Sequence, residues 1–342
     1  MTSKRISLRD IALEAGVNRA TVSRALRNHP SLPKNTCERI QEICRRRGYK
    51  VNPLVSDVMS SARNTSSSYL GTLAYLTAWP EPRGWRSSPV DLRHFNGAVE
   101  QANRSAYLLE EISFTEGNMT SRRMNQVLKS RNTAGILVAP LAPSNVRKHL
   151  TLDWPEFSSI AIGYTLYRPT LNRVASHYSN NLATAMHQLR RLGYRRAGLA
   201  LPKGTDERLD HNLIASFHII QERMKRLGAI PPLIFSPSGR DEFKRWMEDH
   251  KPDAVLSFGG PALEWLMELR IRVPEQMGFV ELNLATPNGT IAGIDQCPEI
   301  VSQTAVDQLI AQIYRNERDL PDFPKLTLIE GRWIDGATLL PR

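Results

Sequence analysis

Asn18-Arg19-Ala20-Thr21-Val22-Ser23-Arg24-Ala25-Leu26 is the stretch that decides how the front of this chain folds. Asn18 is suited to cap a helix, because its side-chain oxygen can take an amide hydrogen of the first turn. Val22, Ala25 and Leu26 recur at i, i+3 and i+4, the spacing of one buried helical stripe. Arg19, Ala20, Thr21, Ser23 and Arg24 then fall on the outer faces. An arginine can donate two hydrogen bonds to O6 and N7 of guanine, and Thr or Ser hydroxyls can hold phosphate oxygens. Taken alone, a short helix of this composition is equally an ordinary solvated one, so the flanking residues must decide.

Upstream, Ser7-Leu8-Arg9-Asp10 reads as a helix start, with Ser7 as cap and Asp10 in the capping-box place. Leu8, Ile11, Ala12 and Ala15 make its apolar face, and Gly16 supplies the left-handed residue that ends it. Helix, short glycine turn, helix is the helix-turn-helix layout. A third helix is expected from Lys34 to Arg47, between Pro33 and Gly48, with Cys37, Ile40, Ile43 and Cys44 facing Val17, Val22 and Leu26. Arg45-Arg46-Arg47 crowd its last turn, where cations suit the helix dipole. Beyond it, Asn52 and Pro53 can start one or two further helical turns, followed by the polar linker 60–68. So short a helix is marginal alone. It would order on DNA and on a dimer mate, with Leu54, Val58 or Met59 wedged into the minor groove.

Placement of charge supports this. The net charge is +11 over 342 residues. Residues 1–64 hold 13 Lys/Arg and 5 Asp/Glu, or +8, and the remainder holds 32 and 29, or +3. A basic head on a nearly neutral body is what a protein needs when only the head meets phosphates. The length implies two or three domains. The 41% hydrophobic and 23% charged content is ordinary for a globular protein with a sizeable core. No apolar run approaches the roughly 18 residues that span a bilayer. The start of the chain has no secretory h-region, and a cytoplasmic protein is the expectation. Cys37 and Cys44 lie seven apart on one helix, roughly 10 Å, too far for a disulfide. With Cys297 they are expected to serve as small packing residues.

From Leu70 the period changes. Gly71-Thr72-Leu73-Ala74-Tyr75-Leu76 is the mostly apolar run of a strand buried on both faces. Helices are expected near 91–105, 121–131, 181–192, 212–227, 242–250 and 262–269. Strands are expected near 107–112, 135–139, 159–162, 196–201, 254–258 and 277–282. Alternation of this kind implies two open parallel sheets with helices on both faces. Ligands bind beyond the carboxyl ends of such strands, and the cleft between two such lobes is the default site.

The head resembles the LacI/GalR family of bacterial repressors. The resemblance is carried by Ser7-Leu8-Arg9-Asp10-Ile11-Ala12, by Ala15-Gly16-Val17-Asn18, by Ala20-Thr21-Val22-Ser23-Arg24-Ala25-Leu26, and by Gly48-Tyr49 with Asn52. It implies that bases are read by Arg19, Ala20 and Arg24. Further DNA contacts are implied at Ser7, Asn18, Thr21, Ser23, Asn28 and Tyr49. The sequence departs from the family at the hinge. Val51 stands where the family has Pro, and Val55-Ser56-Asp57-Val58 where it has Ala-Arg-x-Leu, so the minor-groove Leu falls on the smaller Val58, with Met59 beside it.

The body resembles the family through Gln188-Leu189-Arg190-Arg191-Leu192-Gly193-Tyr194-Arg195-Arg196, Pro252-Asp253-Ala254-Val255 and Val273-Pro274-Glu275. The implied fold is an all-α helix-turn-helix head plus an α/β, periplasmic-binding-protein-like core of two lobes with parallel sheets. The implied domains are a head over 1–51, a hinge and linker over 52–69, and a two-lobed effector-binding and dimerisation domain over 70–342. Within it, one lobe takes 70–173 and 297–326, the other 174–296 and 327–342. The family's sugar-gripping arginine falls on Arg208, its Asn-Asp on Gly259-Gly260, its G-[FY]-D-D on Glu281-Leu282-Asn283, and its late glutamine on Gln296. Thr77, Trp79 and Phe258 are placed near the cleft; Arg208 is also readable as a surface ion-pair residue. Trp79 and Trp85 are readable either as stacking on a ligand or as packing a loop.

Rival functions fare worse. G-x-S-x-G, G-x-x-x-x-G-K-[ST], H-E-x-x-H and C-x-x-C are absent, so an enzyme using the two-lobed cleft has no catalytic motif. Asp206, Glu207, Arg208 and Asp210 read as charged helix-entry residues. The basic head argues against a free solute-binding protein, and the large neutral body against an architectural DNA protein. The expectation is a homodimeric repressor. It binds a palindromic double-stranded operator and answers to a small polar effector of the carbohydrate or sugar-acid kind, with no cofactor, metal or membrane.

Overall fold

The computed structural model describes residues 8–26, 32–47, 69–81, 83–115, 119–142, 148–223 and 229–342. Ser7, Asn28, Tyr49, Leu54, Val58 and Met59, and with them the expected hinge helix, lie outside the described residues. The chain divides into two compact units, 1–65 and 66–342.

In the first unit, helices α1 (Leu8–Ala15), α2 (Arg19–Ala25) and α3 (Lys34–Arg47) close over Ile11, Ala12, Ala15, Val22, Ala25, Cys37, Ile40 and Cys44. Gly16 ends α1 at φ +65°, a left-handed conformation that costs glycine nothing. The amide of Val17 then returns to the carbonyl of Ala12 at 3.0 Å. Side chains of α3 finish the other two helices: Arg39 donates to the carbonyl of Ala15 at 3.2 Å and Gln41 to that of Ala25 at 3.0 Å. Those carbonyls end their helices without an intrahelical donor, so α3 satisfies them as well as packing on them. Cys37, Cys44 and Cys297 are free and buried.

In the second unit, two six-stranded sheets form the cores of two lobes. The first has the order β13-β7-β5-β3-β1-β2, with β1 Gly71–Thr77, β2 Tyr107–Ser113, β3 Thr133–Val138, β5 Ser158–Ile162, β7 Asn172–Ser176 and β13 Leu326–Ile329, every pair parallel. A short pair, β4 (Lys148–His149) and β6 (Leu166–Arg168), stands apart. The second sheet has the order β14-β12-β11-β10-β8-β9, from β8 Ala197–Pro202, β9 Leu233–Phe235, β10 Ala254–Ser257, β11 Gly278–Glu281, β12 Gly293–Asp295 and β14 Arg332–Ile334. It is parallel except at its margin, where β14 runs antiparallel to β12.

Helices cover both faces of each sheet. On the first, α4 (Pro89–Arg104) and a long helix, Pro298–Arg315, contribute Ala98, Ala102, Val301, Ala305 and Leu309 to one side, and α5 (Ser121–Ser130) contributes Met124 and Leu128 to the other. On the second, α6 (Tyr178–Arg191) and, past the short α7 (Thr205–Arg208), α8 (Asn212–Arg223) pack one side, while α9 (Arg240–His250) and α10 (Ala262–Glu268) pack the other. The long helix Pro298–Arg315, labelled α11, has no counterpart among the sequence-based expectations.

The chain passes between the lobes after β7, after β12 and after β13. Two of these passages fall a few residues later than 173/174 and 326/327. β7 and β13 pair with each other from Arg173 with Leu326 to Ser176 with Ile329, so both strands finish in the first lobe before the chain leaves it. Among the described residues no helix is long and apolar enough to cross a membrane, and no group of three His, Cys, Asp or Glu could hold a metal ion.

Close approach of α4 to α11 depends on Gly97. A Cβ there would lie 2.5 Å from the carbonyl oxygen of Glu299 and 2.6 Å from its Cα. Backbone cannot swing aside as a side chain can. Alanine at a helix interior gains about 1 kcal/mol over glycine, while overpacking costs about 1–3 kcal/mol. Gly97→Ala is therefore expected to lower the urea midpoint of the two-lobed unit. A midpoint that rises would show that the helices part without cost.

Candidate functional site

On the head, Asn18 caps α2 as its sequence predicts. Its Oδ1 accepts from the amide of Thr21 at 2.7 Å and from the Thr21 hydroxyl at 2.9 Å. The Thr21 hydroxyl is thus engaged within the cap. Arg19 and Arg24 project from opposite ends of α2 and are exposed, while Val22 and Ala25 are buried beneath them. The other arginines are differently employed. Glu14 accepts from Arg46 and, at 2.5 Å, from Arg47, and the two guanidinium groups hold its carboxyl below the usual range. Arg45 pairs with Glu42 at 2.8 Å. Among the described residues neither Arg19 nor Arg24 forms an ion pair. Of the side chains of Ala20 and Ser23 nothing is described.

Between the two lobes lies a cleft of about 360 Å³. Arg208, Phe258, Asn283 and Gln296 line it. Thr77 and Trp79 do not. Thr77 is the last residue of β1 and is buried, and the Trp79 indole donates to the carbonyl of Pro140 at 3.4 Å. Trp85 is a packing residue. It is buried against Tyr75 and Phe95, and its indole donates to Glu111 at 2.7 Å.

Two lining residues carry structural tasks. Arg208 reaches from α7 in the second lobe to the loop after β3 in the first. It donates Nη1 to the carbonyl of Ala142 at 2.7 Å and Nη2 to that of Leu141 at 2.8 Å. It is a latch across the mouth of the cleft. Gln296 sits where the chain crosses between lobes. Its Oε1 accepts from Asn181 at 2.6 Å and its Nε2 donates to the carbonyl of Leu282. Glu281, the remaining carboxylate of its loop, accepts from the amides of Gly259 at 2.8 Å and Asn283 at 2.9 Å. Burial pushes it up to about 8 against those bonds. It shapes two cleft loops without itself lining the cleft.

Several lining residues were not singled out by sequence. Asp91, in the first turn of α4, lines the cleft, with its helix capped by Ser88. Burial raises its carboxyl from 3.8 to about 6, opposed by the Ser88 hydroxyl and by the attraction of Arg208. His94, one turn on, meets the Ser302 hydroxyl at 2.8 Å, and burial lowers it to about 4, so it is neutral near pH 7. Tyr164, Tyr178 and Phe258 form an aromatic run, with ring centres 6.1 and 5.9 Å apart.

Residues 7–52 match the model of bacterial regulatory proteins of the lacI family. That match lies wholly within the first compact unit. A stretch of 168 residues is 21% identical to catabolite control protein A of Priestia megaterium, covering 46% of this chain and half the length of that protein. Solved structures share the fold. A complex of the transcriptional regulator CelR with cellobiose superposes with a TM-score of 0.59 at 16% identity, over 98% of this chain and 100% of that one. A LacI family regulator from Enterococcus faecium with bound ribose gives 0.58 at 16%, over 79% and 99%. The Lac repressor dimer bound to operator and the anti-inducer ONPF gives 0.54 at 16%, over 98% and 100%.

The cleft wall has Arg208 and Gln296, and a carboxylate, Asp91, reaches it from the first lobe. A signal for Asp91 existed in Ser88-Pro89-Val90-Asp91, a cap followed by proline and an acid, which marks a helix entry in an α/β fold. The folded-state value of Asp91 lies above its ordinary one. Its burial therefore costs nothing below about pH 4, and the cost grows until pH passes about 6. Asp91→Asn is expected to gain stability relative to the unsubstituted protein over that window, by up to about 3 kcal/mol. Thermal melts of both proteins between pH 4 and 8 measure it. A constant difference between them would show that Asp91 does not titrate as the cleft geometry requires.

Proposed function

We propose that this chain is a sequence-specific DNA-binding regulator of transcription, acting as a repressor in the cytoplasm. The carrying observation is the pair Arg19 and Arg24. They are exposed on a capped helix and clear of ion pairs among the described residues, while Arg45, Arg46 and Arg47 are joined to carboxylates. A helix of that kind presents guanidinium forks to base edges, with the backbone phosphates held by the remaining basic charge. A homodimer would set two such helices on half-sites of a palindromic operator about one helical turn apart. Asn18, Thr21, Ser23 and Ala20 share the same helix and its cap. Ser7, Asn28, Tyr49 and the apolar hinge residues Leu54, Val58 and Met59 complete the proposed DNA-contacting set.

The cleft of the second unit holds the effector, a small polar molecule. Arg208, Phe258 and Asn283 are its proposed contacts, with Gln296 holding the wall behind them. Structural relatives hold cellobiose or ribose, which supports a carbohydrate. Binding would compete for the Arg208 latch and shift lobe closure, coupling cleft to head through a body with two arrangements.

Two measurements test this. Selection from random duplexes should return a palindrome. On it Arg19→Ala and Arg24→Ala should each cost about 1–3 kcal/mol and relax preference at particular base pairs. Equal losses on every sequence would mean that the arginines touch phosphate alone. Removal of residues 1–64 should abolish DNA binding and leave a folded dimer by light scattering. A monomeric product would contradict the dimer.

A further inference from the structure

The acid that the cleft places on its first lobe has a consequence for what the cleft accepts. Asp91 lines the cleft from the first turn of α4, where the helix N-terminus favours a negative charge. Its amide donates to the Ser88 hydroxyl at 3.3 Å, that hydroxyl also favours the charged carboxylate, and among the described residues Asp91 forms no ion pair. Arg208 attracts it through space, yet gives its own donors to the carbonyls of Leu141 and Ala142. A mostly buried carboxylate with one hydroxyl partner has accepting capacity to spare. The wall beside it is aromatic, running from Tyr164 through Tyr178 to Phe258. Flat apolar faces suit the C–H face of a saturated ring, and the carboxylate suits that ring's hydroxyl hydrogens. Meanwhile the loops after β10 and β11 offer Gly259-Gly260 and Asn283 in place of acids.

We infer that Asp91 is the specificity-determining carboxylate of the cleft, accepting from the hydroxyls of an uncharged polyhydroxylated ring and excluding anionic analogues. The inference rests on the reading of this cleft as the effector site and decides between the two effector kinds left open, sugar and sugar acid. An anion entering beside Asp91 would set two like charges together in a low-dielectric cleft, which disfavours it strongly. Lys203, the other cation of the lining, is exposed at the rim, where solvent screens it.

The test uses the full chain and paired ligands at millimolar concentration: glucose with glucuronate, galactose with galacturonate, and cellobiose with cellobionate. Binding is read by saturation-transfer NMR and by calorimetry. The unsubstituted protein is expected to bind at least one neutral member and to reject its acid. Asp91→Asn should weaken the neutral ligand about tenfold or more and admit the acid. Asp91→Glu, which keeps the charge, should still reject it. Equal binding of neutral and anionic partners, or an Asp91→Asn variant that binds the neutral one unchanged, would overturn the inference while leaving the cleft as the effector site. A cleft that takes no member of either class overturns the effector reading itself, and this inference with it.

Discussion

Asp295 is the constraint on which the two-lobed unit depends. Its side chain is entirely buried at the end of β12, where the chain leaves the second lobe. Arg93 of α4, in the first lobe, donates to one carboxylate oxygen at 2.8 Å; Arg332 of β14, in the second, donates to the other at 2.8 Å. The amide of Cys297 adds a third bond at 3.0 Å. An ionised carboxylate buried without partners would cost several kcal/mol. Neutralisation here takes one guanidinium from each lobe, so the lobes are tied at the crossing by a charge that neither satisfies alone. Those bonds hold the Asp295 carboxyl below its usual range in spite of burial. Arg93 is itself held by Glu299, at 2.5 and 2.9 Å, so the tie extends into the start of α11.

That arrangement contrasts with a lighter tie elsewhere between the lobes. At the crossings the network of Asp295, Arg93, Glu299 and Arg332 is joined by Gln296, whose amide is held by Asn181 and by the carbonyl of Leu282. At the mouth, Arg208 offers two bonds to backbone carbonyls of the facing lobe. Hydrogen bonds of that sort contribute about 0.5–1.5 kcal/mol each, or about twice that when the donor is charged. A ligand can repay such an amount, whereas parting the buried ion network would cost more. The tie made by Arg208 is therefore the weaker of the two between the lobes, and the ion network at the crossings the stronger.

The same physics explains what the sequence makes legible. The head is read from local signals: Asn18 and Gly16 act within three residues of themselves, and the stripe Val22, Ala25, Leu26 needs no distant partner. The strands are legible because burial on both faces leaves nearly continuous apolar runs, as in Leu73–Leu76. The long helix α11 is not. It is wedged between α4 and the sheet with Val301, Ser302, Ala305, Val306, Leu309, Ile310 and Gln312 all buried, so no polar face marks its period. The cleft is legible only in part, because its lining converges from loops of two sheets. Arg208, Phe258, Asn283 and Gln296 reach it. Thr77 ends the first strand and Trp79 follows it, but both turn into packing, and the cap, proline and acid at 88–91 mark a helix entry and not a cleft. Even the two residues that look most like ligand groups, Arg208 and Gln296, are already engaged by protein partners.

A comparable sorting operates on the head, where a count of basic residues conceals unequal roles. Thirteen Lys and Arg occupy residues 1–64. Arg39 finishes α1, Arg46 and Arg47 tie α3 to Glu14, and Arg45 pairs within α3. These positions keep positive charge on the surface, yet their guanidinium groups are already oriented by protein partners. Charge of that kind suits attraction to phosphates, which is insensitive to sequence and falls with salt. Arg19 and Arg24 are the contrasting case, because α2 buries Val22 and Ala25 and leaves both arginines outward. The cap at Asn18 fixes where α2 begins and so the rotational setting of both side chains. The outward setting of these two arginines then depends less on how much charge the head carries than on one asparagine setting the register of a seven-residue helix.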